Sequence, residues 1–297
     1  MVNVQSVQAL IHLIDDPDDH IFEHVRGQLK SYGQDAIPIL EGSWESSDFG
    51  LVFQNRIENL IHEIQFETCR DDLKKWKTSS NKDLLEAAII IARYQYPGLE
   101  DKEVRSEIER IRKAIWLEIN ENQTAFEKIK IFNQVFYGLN GFKGNTTSFH
   151  SPLNSYINTV LDRKKGTPLT LSIIYSVIAQ SLQIPVYGVN LPNHFVLCYM
   201  DENQTQLMLD EENKFGVLFY INTFSKGKVF YECDVIQFLN QLKVIPDRSH
   251  FEPCSNSVTI QRMLTNLIAS FQQVGNSVKV DELTELRSLF EEPNMAS

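Results

Sequence analysis

The segment "KKGTPLTLSIIYSVIAQSLQIPVYGVNLPNHFVLCY", residues 164–199, places the start of a helix and a lone histidine close together in the chain. Its helical pattern opens with Thr167 and Pro168, and the β-type runs that follow carry His194. A histidine in this layout usually acts as the general base for a cysteine nucleophile at the helix start. Because the helix start here holds threonine and proline instead, the first question is which group His194 faces.

The residues at the helix start have clear positional preferences. Thr167 is predicted as the N-cap and Pro168 as the first helical residue. Thr170 then falls in the first turn, where unpaired backbone N–H groups and the positive end of the helix dipole lie. The apolar stripe that predicts a buried helix consists of Leu171, Ile174, Tyr175, Ile178 and Leu182.

Three β-type runs follow this helix: "VYGVNL", "HFVLCYM" and "QLMLD". Side chains alternate along a strand, so His194, Val196 and Cys198 are expected on one face. Asp210 ends the third run and is the candidate acid. Since two further acidic residues follow it, a solvated turn is the alternative interpretation.

The four cysteines, Cys69, Cys198, Cys233 and Cys254, are scattered and form no CxxC pair. This usage favours reduced thiols and a cytoplasmic location. Cys198 is expected to lie roughly 13 Å from His194 along the strand, which excludes it as a hydrogen-bonded partner. Cys233 and Cys254 lie in later segments and stay open as thiol candidates.

Composition limits the classes of function. The chain has 297 residues, 42% of them hydrophobic and 23% charged, which is enough for one large domain or two. A formal net charge of -11 disfavours nucleic acid as a partner. The densest apolar run, "AAIIIA", is far shorter than the roughly 20 residues of a spanning helix, so no membrane partner is expected.

The order of elements predicts an α+β fold in three regions. Residues 1–80 form a helical region, in which Asp16 is predicted as an N-cap and Gly33 as a helix stop. This region is either a pair of helices resembling one HEAT-type repeat or a plain helical cap. Residues 81–250 form the core, a small antiparallel sheet packed on the buried helix, and residues 251–297 add C-terminal helices.

The stretch "NSYINTVLDRKKGTPLTLSIIYSVIAQSLQIPVYGVNLPNHFVL", with "FYGLNGFKGN" before it and "RMLTNLIASF" after it, resembles the SirB-type transglutaminase-like proteins of bacteria. The resemblance covers about residues 84–291. It implies a papain-like transglutaminase core, in which the helix start carries the nucleophile and the next two strands carry the histidine and the aspartate. Thr170, His194 and Asp210 occupy that chain order.

The sequence departs from this pattern at the nucleophile. When Gly166 is matched to the glycine of the superfamily's Gly-x-Cys pattern, Pro168 takes the place of the cysteine. We therefore expect a degenerate triad and a non-catalytic binding or regulatory module with a protein or peptide partner. The alternative is weak acyl transfer or amide hydrolysis that uses Thr170 with His194 and Asp210, supported by Asn193.

A third hypothesis is an anion-binding module. Lys164, Lys165 and Gly166 precede the helix start, where cations, backbone N–H groups and the helix dipole attract a small anion. No cofactor is expected. No metal is expected either, because His20 and His24 share a helix face without a third nearby ligand.

Overall fold

The computed structural model describes residues 4–45, 50–201 and 215–291. The helices are α1 (Val4–Ile11), α2 (Asp19–Ser31), α3 (Ile37–Glu45), α4 (Leu51–Thr78), α5 (Leu84–Gln95), α6 (Asp101–Trp116), α7 (Ala125–Asn133), α8 (Ile157–Arg163), α9 (Pro168–Ser181), α10 (Glu232–Gln241), α11 (Asn256–Gln273) and α12 (Ser277–Ser288). The strands are β1 (Lys143–Gly144), β2 (Lys165–Gly166), β3 (Val186–Leu191), β4 (His194–Met200), β5 (Val217–Asn222) and β6 (Lys228–Phe230). This mixture confirms the α+β class.

The chain forms two compact units. The first consists of Met1–Lys75 together with Arg93–Pro97, and the second of Trp76–Ala92 together with Gly98–Ser297. The second unit therefore contains the sheet and also the C-terminal helices α11 and α12. In the described part of the chain, no helix combines the length and the apolar character needed to cross a bilayer.

The first unit has a helical core of its own. Apolar side chains of α1 to α4 form it, including Val7, Ile11, Val25, Leu29, Leu40, Phe53, Ile57 and Leu60. Helix α2 begins two residues later than the sequence predicts, because Asp18 rather than Asp16 caps it and accepts a hydrogen bond from the His20 N–H. Asp16 instead accepts a hydrogen bond from the backbone N–H of Asp18.

The sheet of the second unit has the strand order β3-β4-β5-β6 and is antiparallel throughout. Strands β3 and β4 match the predicted runs "VYGVNL" and "HFVLCYM". The run "QLMLD" lies outside the described residues, and β5 and β6 are two strands that the sequence analysis did not identify. Helix α9 packs against β3 and β4, and ten of its side chains are buried.

Candidate functional site

The start of α9 is built as the sequence predicts. The Thr167 side chain caps the helix by accepting a hydrogen bond from the Thr170 N–H at 3.1 Å, and Pro168 is the first helical residue. Because proline has no N–H group, the Leu169 N–H is the next donor along the helix. Among the described residues it has no acceptor, so one backbone donor remains open at this helix end.

Gly166 allows this helix start to lie close to α8. A Cβ atom at Gly166 would come within 2.9 Å of Val160 Cγ1 and 3.4 Å of Leu171 Cγ. The first of these separations is shorter than carbon atoms tolerate, so a larger residue would push the helix start away from its support. Gly166 thus permits the close approach of the helix start to Val160.

His194 lies at the first position of β4, directly after a tight turn. Leu191 pairs with His194 across the β3–β4 hairpin, and Pro192 and Asn193 form the two-residue loop between them. Asn193 has φ of 58°, and a proline followed by a left-handed asparagine is the pattern of a type II turn. The turn therefore places His194 at the end of β4, an interior strand of the sheet.

The imidazole of His194 is half-buried, and burial is the largest influence on its pKa. Burial lowers the pKa of His194 from its usual 6.5, a hydrogen bond with the Asn222 side chain opposes that shift, and the positive charge of Arg262 adds to it. Since the net direction is downward from 6.5, the neutral form of His194 predominates at pH 7.

Asn222 is the polar partner that the sequence analysis missed. The β4–β5 register pairs Leu197 with Ile221, so Asn222 lies opposite Val196 and on the same sheet face as His194. Its Oδ1 atom also accepts hydrogen bonds from the backbone N–H groups of Phe224 and Ser225, both at 3.1 Å. The sequence feature that could indicate Asn222 is "VLFYIN", an apolar run after Gly216 that ends on a residue with a side-chain amide.

Thr170 lies in a different environment from the one expected of a nucleophile. Its side chain is 1% exposed, and its hydroxyl is 3.0 Å from the hydroxyl of Thr167. The residues of this helix that line the cavity beside His194 are Thr167, Pro168 and Leu169. Asp210 lies outside the described residues, so its place relative to His194 stays a prediction.

Arg262 is a second polar residue of the cavity wall, and the sequence pattern does not distinguish it. It lies on α11, is half-buried, and donates from Nη1 to Asn190 Oδ1 at 3.0 Å and to the Leu191 carbonyl at 3.3 Å. No carboxylate among the described residues pairs with it, and burial lowers its pKa. Its Nε and Nη2 donors are thus left without a protein acceptor in the described part of the chain.

These groups surround one cavity of about 220 Å³, which we call the His194 cavity. It is lined by Phe149 and His150 of the loop before α8, by Thr167, Pro168 and Leu169 of α9, by Asn193, His194 and Phe195 of the β3–β4 hairpin, and by Arg262 and Asn266 of α11. The helix start and the histidine thus line the same cavity.

A buried asparagine holds the loop that forms one wall. Asn154 Nδ2 donates to the carbonyls of Ser148 at 2.6 Å and Phe149 at 3.1 Å, and its Oδ1 accepts from Asn145 at 2.9 Å. Its own carbonyl accepts from the Thr167 N–H at 3.2 Å. Asn154 therefore connects the Phe149 loop directly to the start of α9.

The three-residue anion site proposed at Lys164, Lys165 and Gly166 has one of its cations already paired. Lys164 Nζ lies 2.5 Å from Glu107 Oε1 and 4.8 Å from the centre of the Phe142 ring. A hydrogen bond from Arg110, assisted by Lys164, lowers the pKa of Glu107 to about 2. Lys164 is therefore neutralised within the protein, and Arg262 is the better placed cation near the helix start.

No cysteine lines the His194 cavity, and all four cysteines lie within the described ranges. Cys198 is buried on β4, and burial raises its pKa to about 12. Burial also raises the pKa of Cys254, whose Sγ lies 3.5 Å from Thr259 Oγ1. Cys233 is exposed on α10 and Cys69 is buried in α4. Among the described residues, no three histidine, cysteine or acidic side chains cluster as metal ligands.

A cavity lined by both a helix start and a strand histidine agrees with the arrangement that the resemblance implies. The model of the transglutaminase-like superfamily matches residues 102–265, which is more than half of the chain. The protein belongs to that superfamily. The match includes α9, the β3–β4 hairpin, Asn222 and Arg262, and so contains most of the cavity wall.

Relatives with similar sequences are found in bacteria and in mammals. A UPF0162 protein of Xylella fastidiosa is 34% identical over 118 residues, which cover 38% of this chain and 41% of the relative. The F-box only protein 21 of Mus musculus is 33% identical over 122 residues, which cover 40% of this chain and 18% of the relative. A UPF0162 protein of Pasteurella multocida is 32% identical over 103 residues, 34% of this chain and 39% of the relative.

In each of these cases the matched segment spans less than half of the relative's length. No solved structure matches the chain.

Proposed function

We propose that this protein is a non-catalytic member of the superfamily, of the SirB type, which uses the His194 cavity to bind a ligand. The observation that carries the proposal is the presence of Pro168 in the cavity wall, at the first position of α9. Proline supplies neither a thiol or hydroxyl for attack nor an N–H group to stabilise an oxyanion. Two of the groups that acyl transfer needs are therefore missing from one position.

The histidine fits the same proposal. A neutral His194 next to Asn222 can accept a proton, but a general base accelerates acyl transfer only when a nucleophile lies within hydrogen-bond reach. Asn222 does not decide between a catalytic and a non-catalytic function, because an asparagine orients the histidine in the working Cys-His-Asn triads of papain-like proteases; the missing group is the nucleophile. What remains is a polar pocket with a hydrogen-bond acceptor, an open backbone donor at Leu169 and the cation of Arg262.

A peptide is the partner that we favour. The chemistry implied by the resemblance, acyl transfer and amide hydrolysis, acts on amides, and a cavity derived from such a site is shaped for peptide groups. Phe149, Leu169 and Phe195 add apolar surface to the polar wall. Cavities of this mixed kind are the usual form of specific ligand sites.

The competing candidate is a weak acyl-transfer or amide-hydrolysing enzyme in which Thr170, His194 and Asp210 act together. Thr170 would have to give up its hydrogen bond to Thr167 and rotate out of a buried position before it could attack a substrate. A threonine hydroxyl also needs a strong adjacent base, which a cysteine thiolate does not. We therefore keep this reading as the second candidate.

Turnover of peptide amides separates the two candidates. We expect the natural protein to release no ammonia from glutamine-containing peptides and to attach no amine to them. Thr170→Val removes the hydroxyl at nearly constant volume, and Thr146→Val makes the same change at an exposed position. Activity in the natural protein that is abolished by His194→Ala and Thr170→Val but kept by Thr146→Val would contradict a non-catalytic function.

A further inference from the structure

Arg262 is the one half-buried cation of the His194 cavity whose charge no described carboxylate neutralises. Its Nη1 donors are occupied by Asn190 and Leu191, which hold the guanidinium in a fixed orientation. The Nε and Nη2 donors that remain lie on one edge of the planar group. That edge makes two parallel hydrogen bonds to the two oxygens of a carboxylate.

The other groups of the cavity fit an anion in the same place. The open Leu169 N–H lies at the positive end of the α9 dipole. Asn266 and Asn193 supply side-chain amides, which donate to oxygen. Arginine fixed by protein contacts before the ligand arrives also loses less entropy on binding.

We propose that the His194 cavity binds a small monocarboxylate, held by the free edge of Arg262 and by the Leu169 N–H. This inference rests on the proposed binding function and names the ligand class for it. A carboxylate carries a single negative charge, which the single charge of Arg262 balances. A phosphate monoester carries about -1.5 to -2 at neutral pH and would leave charge uncompensated.

The size of the cavity limits the ligand. A volume of about 220 Å³ corresponds to about seven water molecules at about 30 Å³ each. A capped amino acid or the C-terminal residue of a peptide is of this size, whereas a drug-sized molecule is larger. The free carboxylate that ends a peptide chain combines this size with the required charge.

The test compares N-acetylglycine, N-acetylglycinamide and inorganic phosphate as probes of the full chain, with binding followed by NMR titration. The acid and the amide differ only in whether the terminal group is charged. We expect the acid to bind and to shift the Arg262 side-chain signals, and the amide and phosphate to bind at least about tenfold more weakly. Equal binding of acid and amide, tighter binding of phosphate, or no binding of any probe at millimolar concentration would overturn the proposal.

Variants locate the binding group. Arg262→Gln is expected to weaken acid binding at least about tenfold, whereas Arg163→Gln, which removes a charge from an exposed residue of α8, leaves it within about twofold. Arg262→Lys keeps the charge but loses the paired donors, so an intermediate affinity is expected. Unchanged affinity in Arg262→Gln would contradict the site, and the comparison of acid with amide in the natural protein holds even if that variant fails to fold.

The same titration distinguishes a failure of the proposed non-catalytic function from a failure of the carboxylate proposal. Conversion of N-acetylglycinamide to N-acetylglycine during the experiment would contradict the non-catalytic function. This conversion is measured from the NMR signals of the probe, so it is independent of the binding measured from the Arg262 signals. Conversely, if the acid does not bind and the amide is not converted, the carboxylate proposal is wrong and the proposed non-catalytic function still stands.

Discussion

Pro168 and His194 line the same cavity, one at the first position of α9 and the other at the first position of β4. The helix cap at Thr167 lies next to Pro168, and the tight turn at Asn193 lies next to His194, so local backbone structure positions both residues. A superfamily that performs acyl transfer requires a nucleophile and a base at these two places. In the proposed function, the base position is assigned to His194 and the nucleophile position to Pro168.

The pKa of His194 should depend on its partner on β5. Asn222→Asp keeps the acceptor for Phe224 and Ser225 and adds a negative charge beside the imidazole, which favours the protonated form. We expect the pKa of His194, which lies below 6.5 in the natural protein, to rise by about one unit or more. An NMR titration of the histidine ring signals measures this change.

Asn240→Asp, an exposed change on α10, is the control for a general effect of added charge and should leave the His194 titration nearly unchanged. An unchanged titration in Asn222→Asp would mean that Asn222 does not contact the imidazole.

The wall of the cavity should depend on Asn154. Its side chain makes three hydrogen bonds in a buried position, so Asn154→Ala leaves several polar groups without partners. We expect the free energy of unfolding to fall by about 2 kcal/mol or more. Urea denaturation of this variant and of the exposed Asn240→Ala provides the comparison. Equal stability of the two variants would show that the loop does not rely on Asn154.

How much of this site the sequence predicts depends on whether its residues are close in the chain. The cap at Thr167, Pro168 at the first helical position, and strands β3 and β4 follow from local preferences, and the structure has them where the sequence predicts them. Local signals were less decisive at α2, where Asp16 and Asp18 both precede a helical pattern and only the second caps the helix.

The remaining site residues come from distant segments. Arg262 is 72 positions from Asn190, its partner, and nothing in the pattern of α11 distinguishes it from a solvated arginine. Asn222 belongs to β5, whereas the sequence pattern predicts the third strand at "QLMLD". Long-range pairing of strands and helices decided both positions, and a single sequence carries little information about such pairing.

The boundary near residue 80 stays a prediction that proteolysis can test. Residues 80–83 are exposed, and Lys82 is the tryptic site within them. We expect limited trypsin treatment to cut there and to release a soluble C-terminal fragment, since exposed connecting segments are the preferred sites of cleavage. Lys82→Gln should abolish that cut. An insoluble fragment, or cleavage elsewhere at the same rate, would count against a boundary at this position.

The most direct test of the account is the reactivity of a thiol introduced by Pro168→Cys. A cysteine at the start of α9 that faces His194 should have a pKa below its usual value of about 8.5, because the helix end and the imidazole stabilise the thiolate. The pH dependence of iodoacetamide alkylation, followed site by site by mass spectrometry, measures that pKa with the exposed Cys233 as the reference in the same molecule. We predict faster alkylation than at Cys233 at pH 7, and a loss of that advantage in the double variant with His194→Ala. A thiol that reacts no faster than Cys233, with a rate that His194→Ala does not change, would contradict the claim that position 168 is the vacated nucleophile position of a transglutaminase-type site.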